Sequence, residues 1–168
     1  MKKGEPRIVA TGTAWIGKRA GSIESALEEL FRTAKSEVQI TAYSITSGAD
    51  IIFDWLETTL ARGVLVTMIV DQLSDQPESV VLRLAKLAVQ YSHFKLLIFE
   101  GSNNTHLHAK LIVVDRERAL IGSSNLSRRG LVTNHELGII VSEQPASMAA
   151  RLIDDLACCR NTRAFVCQ

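Results

Sequence analysis

The sequence lacks any apolar run long enough to cross a bilayer, so it offers no candidate transmembrane helix. It also lacks a signal peptide of the usual form. Lys2 and Lys3 stand near the start, but Glu5 and Pro6 interrupt the apolar stretch that should follow them. These absences predict a cytoplasmic protein.

The sequence also lacks an excess of charge of either sign. Nineteen lysines and arginines face 18 aspartates and glutamates, which leaves a formal net charge of +1. This balance argues against a protein that binds nucleic acid through a large net positive charge. It is compatible with a local basic patch around a site.

Cysteine is scarce and poorly arranged for cross-links. The chain has three, and two of them are the neighbours Cys158 and Cys159, with Cys167 near the end. An odd number with two adjacent members makes a poor disulfide framework, and the spacing matches no familiar zinc pattern. We expect reduced thiols that pack as small apolar groups.

The order of hydrophobic patterns predicts an α/β protein with a mixed β-sheet flanked by helices on both sides. Its 168 residues suit a single domain over 1–168, without a linker or low-complexity segment. Helices are expected at 22–36, 49–63, 77–92 and about 145–160. Strands are expected at 7–12, 37–45, 64–72, 94–100, 106–115, 118–124 and 135–143.

The stretch HLHAKLIVVD, residues 106–115, combines an apolar strand pattern with two histidines and a lysine. Alternate residues of a strand share a face, so His106, His108 and Lys110 should point the same way. An ammonium group on such a strand is costly unless something pairs with it. We therefore expect polar partners for His108 and Lys110.

Polar residues also end or open the next two strands. Ser123 and Asn125 follow RALIG, and Glu136 opens the strand HELGIIV. Neighbouring strands would gather these side chains with His108 and Lys110 at one end of the sheet. Imidazole can attack phosphorus or act as a base, a carboxylate can orient it, and the remaining groups can bind anionic oxygens. No cluster of carboxylates stands at metal-ligand spacing, so the prediction is metal-free chemistry with no cofactor.

The gaps between these residues form a motif. His108 and Lys110, then Asp115, Ser123 and Asn125 fit the pattern HxK(x)4D(x)6GSxN. This pattern resembles the signature of the phospholipase D superfamily. Six fixed residue types at fixed gaps make a chance match improbable in one short chain.

The resemblance implies a mechanism and an assembly. Members of the superfamily bring two such motifs together, and one histidine forms a phosphohistidine while the other protonates the leaving oxygen. This chain carries one motif and is similar to small nucleases that dimerise, which implies a homodimer. His108, Lys110, Asp115, Asn125 and Glu136 are the expected catalytic residues, with Asp115 as a structural anchor and Glu136 orienting a histidine. The expected phosphate-binding residues are Lys110, Ser123 and Asn125.

Other polar residues receive weaker assignments. Arg128 and Arg129 follow the motif and are candidate nucleic-acid contacts. His93 imitates the motif with Lys95 and Glu100, but no GSxN follows, so it is expected to be a decoy. His106 is expected to be a bystander and His135 a structural residue.

The resulting prediction is a phosphodiesterase, with a nuclease preferred and DNA favoured over RNA as substrate. Two alternatives stay open: a phospholipase or phosphatidyl transferase, and a non-catalytic dimer that binds nucleic acid. Residues 108–141 also resemble phospholipase-D-like subunits of bacterial defence islands such as the DISARM type. That likeness implies partner proteins from a defence or repair system.

Overall fold

A computed structural model describes residues 4–46, 48–103 and 105–166. Over these residues nine strands form one mixed sheet in the order β2-β1-β8-β7-β6-β3-β4-β5-β9. The strands are β1 Arg7–Thr11, β2 Gly21–Ser22, β3 Glu37–Ala42, β4 Leu65–Asp71, β5 Phe94–Phe99, β6 Lys110–Val114, β7 Arg118–Gly122, β8 Glu136–Ser142 and β9 Thr162–Ala164. The helices are α1 Ile23–Thr33, α2 Asp50–Ala61, α3 Glu78–Gln90 and α4 Gln144–Ala157.

Helices cover both faces of this sheet, which confirms the predicted α/β class. The buried apolar sides of α1, α2 and α3 join one face in the larger core cluster. Helix α4 covers part of the other face through Ala146, Ala149, Ala150 and Ile153. The spacing of these four residues gives α4 its apolar stripe.

The strand directions bring the ends of six strands to one edge of the sheet. Strands β3, β4 and β5 run parallel, whereas β6, β7 and β8 pair antiparallel to their neighbours. The carboxyl ends of β3, β4, β5 and β7 therefore lie at the same edge as the amino ends of β6 and β8. We call this edge the site edge.

Strand β6 begins at Lys110, four residues later than predicted. The Thr41 hydroxyl explains this, because it donates to the carbonyl of Ala109 and accepts from the amide of Leu111, both at 3.0 Å. A side chain thus takes the place of the regular ladder at the start of β6. The preceding residues approach as an irregular segment.

Strand β3 ends at Ala42 instead of 45, since a buried glutamine captures the following backbone. The Gln76 amide donates to the carbonyls of Tyr43 (3.1 Å) and Asp71 (3.0 Å). Its Oε1 accepts from the amide of Ile45 at 2.9 Å. Gln76 therefore fixes the ends of β3 and β4 relative to each other.

Further differences concern the two outermost strands of the sheet and the last helix. The short strands β2 and β9 were not predicted, and α4 ends at Ala157. Cys158 and Cys159 are free thiols, while Cys167 lies outside the described residues. Within the described ranges, no helix is both long and apolar enough to span a bilayer.

Candidate active site

The ring of Tyr43 gathers the three basic side chains of HLHAK at the site edge. Its centroid lies 4.5 Å from that of His108 and 5.9 Å from that of His106, and 5.0 Å from Nζ of Lys110. The three side chains thus share one side of the chain, although the strand itself starts only at Lys110. Tyr43 was not among the predicted site residues.

Lys110 reaches the site over two neighbouring glycines. Gly122 is its partner on β7, and Gly138 lies beyond that on β8. A Cβ at Gly122 would lie 2.8 Å from the Leu137 carbonyl oxygen, so a larger residue would push the strands apart. The Lys110 ammonium donates to the His108 carbonyl at 2.7 Å. Glycine at 122 therefore allows β7 and β8 to lie close together beside Lys110.

The surroundings of Lys110 alter its proton affinity. Partial burial lowers the pKa of Lys110, and the carboxylate of Glu136 opposes that change. The stem lies over a small cavity of about 20 Å³ that is lined largely by apolar side chains. A positive charge is therefore held at the border between the apolar core and the open edge.

Glu136 opens β8 and binds the motif serine. The Ser123 hydroxyl donates to Glu136 Oε2, and the Asn134 amide donates to Oε1 at 3.2 Å. The hydrogen bonds found within the described ranges do not join Glu136 to a histidine. Its predicted role in orienting His108 stays a prediction, whereas its contact with Ser123 is direct.

Asn125 lies in the loop after β7, and Leu126 pins this loop to the segment after β3. A β-bridge joins Leu126 to Ile45. Within the described chain, the buried Oδ1 of Asn125 has no hydrogen-bond partner. Arg128 and Arg129 follow with exposed side chains. The loop therefore presents two cations beside the site edge.

Asp115 stands apart from the other motif residues. It follows β6 at the edge opposite to the site edge, in a turn where its φ is 53°. Its carboxylate accepts backbone hydrogen bonds from Lys35, Ser36 and Glu37, with Ser36 N at 2.7 Å. This geometry makes Asp115 a clamp between α1, β3 and β6.

The family model described as "Cardiolipin synthase, PLD-like domain" matches residues 27–156. The chain belongs to this PLD-like family. The match covers most of the sheet and all of the motif, so the predicted superfamily is confirmed.

Curated relatives of this PLD-like chain are longer proteins. It is 28% identical over 135 residues to the DISARM protein DrmC of Bacillus paralicheniformis, which covers 80% of this chain and 55% of DrmC. It is 29% identical over 142 residues to phospholipase D Z of Dictyostelium discoideum, covering 76% of this chain and 33% of that protein. The chain thus spans only a third to just over half of these relatives.

Two solved structures share the PLD-like fold along their whole length. Nuc of Salmonella typhimurium, a phospholipase D family member, has a TM-score of 0.76 and 22% identity over 97% of this chain and 100% of its own. NucT of Helicobacter pylori has a TM-score of 0.72 and 18% identity over 96% and 100%. These likenesses establish the fold.

The remaining histidines of the PLD-like chain have structural surroundings. His93 precedes β5 at the edge opposite to the site, where its Nε2 lies 2.9 Å from the Leu60 carbonyl. His135 Nε2 accepts from the Ala14 amide at 3.2 Å and meets the Trp15 ring edge-on. His93 is therefore far from the motif. Within the described ranges, no three His, Cys, Asp or Glu side chains gather as a metal site requires.

Sequence reasoning missed the residues that support the site from β3 and β4. Tyr43, Asp71 and Gln76 come from segments that precede the motif by 30 residues or more, and nothing in their spacing links them to it. One signal was available: Asp71 ends an apolar strand whose carboxyl end must lie at the site edge of a parallel sheet.

The Tyr43 ring provides a first test of this geometry. Tyr43→Ala removes the surface that His108 and Lys110 contact, and we expect at least about a tenfold loss of kcat/KM from displacement of these groups. Tyr43→Phe keeps the ring and should stay within about threefold of wild type. Steady-state kinetics on a common phosphodiester compare the two variants. Equal losses would show that the hydroxyl, and not the ring, matters.

The Asp115 clamp predicts a pH-dependent stability. Partial burial acts to raise the pKa of Asp115, but the hydrogen bonds from Ser36, Glu37 and Lys35 outweigh it and hold the pKa below its ordinary value of 3.8. Because the pKa of Asp115 is lower in the folded than in the unfolded state, its ionised carboxylate stabilises the fold above pH 3.8. This stabilisation is lost as the pH falls through the pKa of the folded state.

Asp115→Asn keeps the shape and tolerates the positive φ but removes the charge. At neutral pH it should lower the free energy of unfolding by about 1 kcal/mol, allowing for the partial exposure of the site. Urea unfolding at pH 7 and pH 3 measures this difference. The gap should narrow at the lower pH, and a gap of equal size at both would refute the charge argument.

Proposed function

We propose that this domain, with its single motif, is a metal-independent phosphodiesterase that cleaves nucleic acid as a homodimer, with DNA favoured over RNA. The observation that carries the proposal is the joint placement of His108 and Lys110 against Tyr43. Both stand at the edge where Ser123 and Glu136 form their hydrogen bond. An imidazole beside a cation and neutral donors suits attack on a phosphodiester.

The proposed reaction has two displacements at phosphorus. A ring nitrogen of His108 attacks, the nitrogen–phosphorus bond forms and the bond to the leaving oxygen breaks. That oxygen takes a proton from the partner's His108. Water then attacks the phosphohistidine, gives its proton back to the partner's imidazole and releases His108, so that the products are a phosphate monoester and an alcohol.

The other motif residues act on the phosphate oxygens. Lys110 supplies a positive charge, and Ser123 and Asn125 supply neutral donors. The contact between Ser123 and Glu136 holds the serine at the site edge, so Glu136 acts on the phosphate site through Ser123 as well as through its charge. Asp115 contributes rigidity from the opposite edge.

A second copy is part of the proposal because an in-line displacement needs a proton donor opposite the nucleophile. An apolar surface beside the site edge supports this assembly. Four residues at one level of the sheet form it and are called the apolar row: Leu111, Ile121, Ile139 and Ile8. Ile8 is 52% exposed, and Leu137, next to the row at the site edge, is 50% exposed. The other three residues of the row are partly buried and pack against the core cluster that contains α4.

The choice of nucleic acid rests on size, charge and context. Nuc and NucT match this chain over their full lengths with TM-scores of 0.76 and 0.72, which supports the comparison with these two proteins. Arg128 and Arg129 are exposed cations that follow the motif, and they suit a polyanionic substrate. The likeness to DrmC adds proteins of a defence system as proposed partners.

The proposal is tested by a panel of substrates in excess EDTA. Single- and double-stranded DNA, RNA and bis(p-nitrophenyl) phosphate are each incubated with the purified protein, and products are followed by gel or absorbance. Turnover of nucleic acid that resists EDTA is the expected result. Binding without any turnover, from a verified dimer, would instead favour a module that only binds nucleic acid.

A lipid phosphodiesterase is the second candidate, favoured by the exposed Ile8 and Leu137 and by the relatives named phospholipase D and cardiolipin synthase. An exposed apolar surface next to a site can rest on a membrane as well as on a second copy. Flotation with phosphatidylglycerol vesicles and analysis of lipid products separate the two. Lipid turnover that exceeds cleavage of every nucleic acid would replace the nuclease proposal.

A further inference from the structure

His106 is held differently from every other histidine in the described ranges. Its Nδ1 lies 2.9 Å from Oδ2 of Asp71, whose side chain is only 4% exposed. The same carboxylate accepts the Leu107 amide through Oδ1 at 2.7 Å. The ring itself is 38% exposed. A buried carboxylate thus holds one side of an imidazole whose other side is open to the site edge.

The hydrogen bond to Asp71 sets the direction of the ring. The side-chain amide of Gln72 also lies 3.1 Å from Nδ1, but the shorter contact is the 2.9 Å one to Asp71. An ionised carboxylate only accepts, so this contact places the proton on Nδ1 and leaves Nε2 for a ligand. The charge of Asp71 also balances a positive charge on the ring, in the manner of an aspartate behind a catalytic histidine. In its cationic form, His106 offers an Nε2–H donor to an anionic oxygen.

The support for this pair is itself well fixed. The buried Gln76 donates hydrogen bonds to the backbone carbonyls of Asp71 and Tyr43. Leu107 is buried in the core on the α4 side and anchors the segment between the two histidines. A surface histidine without a role would not need a buried carboxylate, which is costly to desolvate.

His106 is poorly placed to replace the second histidine of the reaction. It lies two residues from His108 and contacts the same Tyr43 ring, so the two imidazoles approach from one side. In-line displacement needs the proton donor opposite the nucleophile. Asp71 ends β4, two strands away from β6, which is about 10 Å at ordinary strand spacing. His106 is thus held from β4 through Asp71, whereas Lys110 extends from β6, so a chain of phosphates can meet the two residues at different phosphates.

We propose that His106, positioned by Asp71, binds a phosphate of the nucleic acid next to the one that is cleaved. This inference rests on the proposed function and narrows its substrate to a chain with more than one phosphate. It makes His106 a residue that favours polymers over small diesters, and Asp71 a positioning residue that acts through it.

The test compares two substrates with one matched control. His106→Gln should raise KM for a short single-stranded DNA oligonucleotide about tenfold, the usual value of one charge-assisted hydrogen bond, with kcat within about threefold. The loss of kcat/KM on the oligonucleotide should exceed that on bis(p-nitrophenyl) phosphate by about the same factor. His93→Gln, at the opposite edge, should match wild type on both.

Binding gives a readout that does not depend on turnover. In a His108→Ala background, fluorescence anisotropy with a labelled oligonucleotide should show weaker binding for His106→Gln. The slope of log affinity against log salt should shrink by about 0.7, the value for one lost phosphate contact on a single strand. Asp71→Asn should give a similar rise in KM. Combining it with His106→Gln should add little, because coupled residues are not additive.

The outcomes separate this inference from the proposed function. Equal losses on both substrates, or oligonucleotide binding equal to that of the His93→Gln control, would overturn the role of His106 even if the nuclease is active. A wild-type protein without turnover on any substrate would overturn the nuclease, while a weaker affinity and smaller salt slope for His106→Gln would still support the phosphate contact. A variant that is misfolded by circular dichroism is replaced by His106→Asn.

Discussion

His108→Ala is expected to abolish hydrolysis of every phosphodiester that the wild type cleaves. The loss should be at least about 10⁴-fold in kcat, because the variant has neither a nucleophile nor, in the partner, a proton donor. Wild-type turnover should persist in excess EDTA, since the proposed steps use no metal. Initial rates on the best substrate of the panel, with and without EDTA, measure both effects.

Two matched variants serve as controls for this prediction. His93→Ala changes the decoy histidine at the far edge and should leave the rate near wild type. His106→Gln should lower the rate only through KM. If His108→Ala kept more than about 1% of the wild-type kcat, the nucleophile would have to be another group.

Leu137→Glu should give a monomer without activity. Leu137 is exposed beside the apolar row and next to Glu136, so a second carboxylate there introduces charge into the proposed contact between copies. Light scattering should show loss of the dimer, and kcat should fall by about 10³-fold or more because each site loses a histidine. Leu82→Glu on α3, at a similarly exposed residue on the other face, is the control. An active monomer would rule out a site shared by two copies.

Mixing wild-type and His108→Ala chains is a second test of whether two copies share one site. After subunit exchange, equal amounts of wild type and His108→Ala should show about half the summed activity of the two separate samples, because half of all dimers become mixed. Exchange is verified by pulling down a tagged chain. Activity that does not fall after verified exchange would mean that each chain works alone.

The motif could be read from the sequence because its residues lie close together along the chain. His108, Lys110, Ser123 and Glu136 come from β6, β7, β8 and their ends, which pair one after another, so spacing in sequence predicts closeness in space. The side chains of His106, His108 and Lys110 do meet at Tyr43, but strand alternation is not the reason, because residues 106–109 are irregular and the His108 amide donates to the His106 carbonyl at 3.1 Å.

The support from the other half of the sheet could not be read in the same way. Tyr43, Asp71 and Gln76 meet the motif only because β6 inserts next to β3, a pairing that local patterns do not encode. The contact of His106 with Asp71 could not be read from local patterns, since Asp71 lies 35 residues earlier. The ends of β3 and β6 were misplaced for a related reason, because single side chains, Gln76 and Thr41, capture the backbone there.

The central claim, a covalent bond between His108 and phosphorus, is tested most directly by stereochemistry. An oligonucleotide with one phosphorothioate of defined configuration at the cleaved position is hydrolysed in water enriched in ¹⁸O, and the configuration of the product is determined. Two successive in-line displacements predict retention of configuration at phosphorus. Inversion would show a single direct attack by water and would contradict the phosphohistidine mechanism.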